Sequence, residues 1–77
     1  MNVGMLWFDD DPRTALKAKI ERAVGYYRQK YGRLPDVCLV HPSMLSASSA
    51  ETVGKVAVRS NPVILPGHLW IGVEEQT

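Results

Sequence analysis

Cysteine occurs once in the 77 residues, at Cys38. A disulfide within the chain is therefore impossible, and stability must come from packing. A lone thiol also fits a reducing compartment better than secretion. Long apolar runs are missing: no stretch approaches the roughly 20 residues that span a bilayer. The start of the chain, Met1 to Phe8, has no basic residue and no small-residue cleavage site before it meets Asp9-Asp10-Asp11. It does not read as a secretory signal, and the expected location is cytoplasmic. No glycine-rich loop links a strand to a helix start, so nothing supports phosphate, flavin or nicotinamide binding. Two histidines and one cysteine also fall one ligand short of a closed structural zinc site.

What is present describes an ordinary small globular domain. The hydrophobic fraction of 45% and charged fraction of 22% exclude disorder as the default. The length allows a single domain, 1–77, near the lower end of what folds unaided. Net charge is only +1, but it is unevenly spread. Between Arg13 and Arg33 stand seven basic residues and one acid, Glu21, for a net +6; the rest of the chain carries −5.

The pattern predicts an α+β (or small α/β) fold: a mixed sheet of about four strands with one long amphipathic helix on one face. A strand is expected over about 3–8, apolar at both parities and hence central in its sheet or covered on both sides. Asp11 and Pro12 then signal a helix start, with the aspartates against the positive end of its dipole. Over about 12–31, Leu16, Ile20, Ala23, Val24, Tyr27 and Tyr31 form one helical stripe. Gly32 caps it, and Leu34-Pro35 ends it. A buried strand at about 37–40 follows, which a right-handed crossover would place parallel beside the first. A short second helix is possible at about 43–50 after Ser43, and strands are expected at about 55–59 and 68–73. Leu69, Ile71 and Val73 share one face of the last strand, and His68, Trp70 and Gly72 the other. Trp7 and Trp70 come close if the first and last strands are neighbours.

Three groups are candidates for chemistry. Asp9–Asp11 could suggest a hard cation, but adjacent residues cannot all converge on one ion without a special turn, and capping accounts for them. Cys38, His41, Ser43 and His68 are the only side chains suited to nucleophilic or transition-metal chemistry. Three positions apart on a strand, Cys38 and His41 point to opposite faces, which makes Cys38 a small core residue. No catalytic, cofactor or metal residue is assigned. The basic helix is the strongest binding candidate, with Lys17, Lys19, Arg22, Arg28, Lys30 and Arg33 as possible nucleic-acid contacts. Lys19 and Arg22 flank the apolar stripe, where charge reversal should spare the fold. A pI of 7.9 falls short of a typical nucleic-acid footprint.

The stretch Pro35 to Val73 resembles part of the core of tailed-phage major capsid proteins and encapsulins. The signals that carry it are Pro35-Asp36-Val37-Cys38-Leu39-Val40-His41-Pro42-Ser43, Gly54-Lys55-Val56-Ala57-Val58-Arg59-Ser60 and Leu65-Pro66-Gly67-His68-Leu69-Trp70-Ile71-Gly72. The long extended arm of that family has no counterpart here. The resemblance implies a non-enzymatic domain that packs against copies of itself, and it transfers no site residues. The expected function is thus a non-enzymatic interaction module, self-associating because one helix can cover only one of two apolar sheet faces. The alternative is a nucleic-acid-binding accessory protein; an enzyme is the distant third. No membrane or small-molecule partner is indicated.

Overall fold

The computed structural model describes residues 3–45 and 52–73. Along the chain these form β1 (Val3–Phe8), α1 (Leu16–Tyr31), β2 (Val37–Val40), a single 3-10 turn (Pro42–Met44), β3 (Thr52–Val53), β4 (Val56–Ser60) and β5 (His68–Val73). The five strands make one mixed sheet in the order β1-β5-β2-β4-β3. β2 and β4 are parallel, and the other neighbours are antiparallel. The α+β class is as expected, with a fifth strand, β3, added by a tight turn through Gly54-Lys55 that pairs Val53 with Val56.

The order differs from expectation at one end. β1 and β2 do run parallel, joined by α1, but β5 lies between them and pairs with both. β1 is consequently an edge strand, not a central one. Hydrophobic parity reports that both faces of a strand favour cover; it does not report which segment, from how far along the chain, takes the neighbouring place.

The helix also starts later than position 12. Asp9 and Asp11 fold the chain into side-chain turns: the Asp11 amide donates to Asp9 Oδ1 at 3.1 Å, and the Arg13 amide to Asp11 Oδ1 at 2.9 Å. Thr14 Oγ1 donates to Asp11 Oδ2 at 3.0 Å. Such local bonds compete with helix formation, and α1 begins only at Leu16 with no side-chain cap. The bonds from the Arg13 amide and the Thr14 hydroxyl hold the Asp11 carboxyl below its ordinary pKa. At the other end, Gly32 takes φ 72°, and its amide donates to Arg28 O at 2.8 Å. Of the short helix expected at about 43–50, the described part is a 3-10 turn, Pro42–Met44, followed by an extended Leu45. Residues 46–50 lie outside the described residues.

α1 covers one face of the sheet. Ile20, Ala23 and Tyr27 pack on Cys38, Val40, Val53, Val56, Val58, Leu69 and Ile71. The register explains the set: Cys38 stands between Ile71 and Val58, and Val40 beside Leu69, so alternate residues converge beneath the helix. The expected parity of β5 holds. Trp7 and Trp70 are on adjacent strands but opposite faces, because Trp7 pairs with Leu69 and Leu6 with Trp70.

Candidate functional site

The face of the sheet away from α1 carries no covering element among the described residues. Its central row runs Leu6, Trp70, Leu39 and Arg59 across four strands. Beside it lie Phe8 opposite His68, and Gly4, Gly72, Val37 and Ala57 in register. The Trp70 indole lies down over Gly4; a Cβ there would overlap the ring. Val37, in the middle of this face, is buried, yet Leu6 remains 61% exposed and Phe8 59%. Phe8 tilts against the His68 ring at a centroid distance of 4.8 Å. Val63 and Leu65, in the loop entering β5, are exposed as well. Single exposed apolar residues are normal; Leu6 and Phe8 stand two positions apart on the same face of β1.

The basic residues are distributed differently from a flat binding stripe. Lys19 is buried; its Nζ donates to Asp9 O at 3.0 Å and lies 4.0 Å from Asp9 Oδ1. Arg22 leans to the same carboxylate at 3.7 Å. Lys19 thus pins the end of β1 to the helix and is not available to a phosphate. Lys17, Arg22, Arg28, Lys30 and Arg33 face solvent, with Lys30 placed 5.5 Å from the Tyr31 ring centroid. Periodicity could not reveal this, because a lysine flanking an apolar stripe reads as a snorkelling surface residue. Charge reversal at Lys19 is therefore no longer a fold-neutral test. Lys19→Glu is expected to lower folding stability by about 3–5 kcal/mol, the range for breaking a buried pair, as read from the urea midpoint.

The candidates for nucleophilic chemistry do not assemble. Cys38 is fully buried on the helix side, and burial pushes its thiol pKa up to about 12. The His41 Nδ1 and Ser43 Oγ are 2.7 Å apart, but the same nitrogen accepts the Ser43 amide at 3.1 Å. The pair caps the 3-10 turn, and no third group among the described residues orients it. His68 Nδ1 reaches Pro66 O at 3.2 Å, which requires the ring nitrogen to donate. Among the described residues no three His, Cys, Asp or Glu side chains gather around a point where a metal could sit. None of the described helices is long and apolar enough to cross a membrane.

The thiol makes two measurable statements. At pH 8 a group with a pKa of about 12 is thiolate about once in ten thousand, so native Cys38 should react with a thiol reagent orders of magnitude more slowly than in the urea-unfolded chain. Its folded pKa also lies above the ordinary value of 9.0, and burial raises that of Tyr27 in the same direction. Raised acids stabilise the fold below their unfolded pKa and lose that contribution as pH climbs through the folded one. The urea midpoint should accordingly fall from about pH 9 upwards, and less steeply in Cys38→Ala.

Comparisons with family models, curated proteins and solved structures found no match.

Proposed function

We propose that this protein is a non-enzymatic module that associates with copies of itself through the sheet face opposite α1. The supporting observation is the row of Leu6, Trp70 and Leu39, with Phe8 beside it, on a sheet face that no described element covers. The molecule measures 30 × 25 × 21 Å, so its broadest face is of the order of the roughly 800 Å² per partner that stable interfaces bury. A second copy is the occupant this chemistry favours. An isologous contact sets apolar patch against identical apolar patch, and Arg59 at the far end of the row is carried away from its own copy by the twofold. The reading rests on this face, and the capsid-core resemblance of Pro35–Val73 adds nothing to it.

The nucleic-acid alternative lacks a comparable observation, since Lys19 is buried and Arg22 leans towards Asp9. Light scattering at low and high salt, with and without a mixed-sequence oligonucleotide, separates the two. An apolar self-contact should hold its mass across that range and ignore the oligonucleotide. A strict monomer that forms a salt-sensitive oligonucleotide complex, with a log–log slope near −4 for four or five phosphate contacts, would overturn the proposal.

A further inference from the structure

β1 is an unusual edge. Natural sheets blunt their edges with short strands, charges, prolines or bulges. At the far edge, β3 is two residues long. β1 runs for six, Val-Gly-Met-Leu-Trp-Phe, with no charge and no proline. Its six residues pair one-to-one with β5 without a bulge. No described element pairs with its outer side. The strand is apolar at both parities, as a central strand is, yet the described residues supply a neighbour on one side only. Trp7, on this strand, also keeps a buried indole N–H with no acceptor among the described residues.

We infer that β1 pairs antiparallel with β1 of a second copy about a twofold axis at Leu6, joining two five-stranded sheets into one of ten. This rests on the self-association proposed above and says how two copies meet at their edges. Charge selects the direction. Parallel pairing would set Asp9-Asp10-Asp11 of both copies side by side, whereas antiparallel pairing sends them to opposite ends. Parity selects the register. Facing residues of an antiparallel pair share a face, so the axis must pass through a residue, and Leu6 is the residue that matches the remaining side chains. Met5 then faces the partner's Trp7, a thioether against an indole. Gly4 faces the partner's Phe8, which lies beside the Trp70 ring covering that glycine. The axis at Leu6 sets one strand residue, Val3, opposite an aspartate, Asp9; an axis at Trp7 would set three, Met5, Gly4 and Val3, opposite Asp9, Asp10 and Asp11, and one at Met5 would put Phe8 opposite Asn2, outside the strand. The joined sheet keeps both helices on one side and doubles the open apolar face, so two such pairs can stack through it.

Cysteine cross-linking tests the register. At the axis, facing Cα atoms are about 4.5–5.5 Å apart, within disulfide range. Two Phe8 positions would stand about 14 Å apart, four residues along the strands at about 3.4 Å each. Both side chains are mostly exposed, so neither replacement threatens the fold. Mild oxidation should therefore convert Leu6→Cys to a covalent dimer and leave Phe8→Cys and the unmodified chain, with its buried Cys38, uncross-linked. Equal cross-linking of both variants, or of neither while the parent remains oligomeric, would overturn the edge pairing and leave self-association standing. A monomeric parent with no cross-linking in either variant would overturn both.

Discussion

Replacing Tyr27 with alanine is expected to lower folding stability by about 3–5 kcal/mol, the range for removing a large buried aromatic. Tyr27 heads the fully buried side chains by volume, and sits with Ile20 and Ala23 between the helix and the sheet. Its ring also packs against Tyr31 at a centroid distance of 4.6 Å, so truncation loosens the last turn of α1 too. A domain of this length has roughly 4–12 kcal/mol in total, which makes the substitution severe. Ile20→Ala should follow at about 2–5 kcal/mol. Leu39→Ala should cost less, because Leu39 is only half-buried and lies on the open face. Urea midpoints in which Leu39→Ala proved as damaging as Tyr27→Ala in a monomeric sample would mean that the two faces of the sheet are assigned the wrong way round.

The second large effect is on association. The double substitution Leu6→Glu and Phe8→Glu should leave the fold within about 1 kcal/mol of the parent, as exposed positions do. Its dissociation constant should nevertheless rise by at least about a hundredfold. Fully burying a leucine or phenylalanine contributes about 1.5–3 kcal/mol, each site counts twice across a twofold, and about 1.4 kcal/mol is a factor of ten. The introduced carboxylates add repulsion between copies. Dilution-dependent light scattering of parent and double variant measures the shift directly. An unchanged constant would remove Leu6 and Phe8 from any interface.

Much of this architecture is legible in the sequence. The stripe from Leu16 predicted which helix face is buried, though its last member, Tyr31, is exposed, and the alternation in Val56 to Arg59 and in His68 to Val73 predicted which residues turn inwards. Local signals succeed there because each depends on spacing alone. Three features could not be read in that way. The place of β5 between β1 and β2 depends on a pairing some sixty residues apart. The two-residue β3 is too short to carry a period. Lys19 is buried because Asp9, ten residues earlier, is folded back onto the helix by its own side-chain turns. The candidate surface was legible only as a surplus: β1 carried more apolar side chains than one helix could cover. The sheet order then showed where that surplus lies.

Sedimentation equilibrium of the unmodified protein over a wide concentration range tests self-association most directly. The account predicts a mass of at least twice the 8.6 kDa chain, dissociating on dilution and almost insensitive to salt. A mass fixed at 8.6 kDa at every concentration would contradict it.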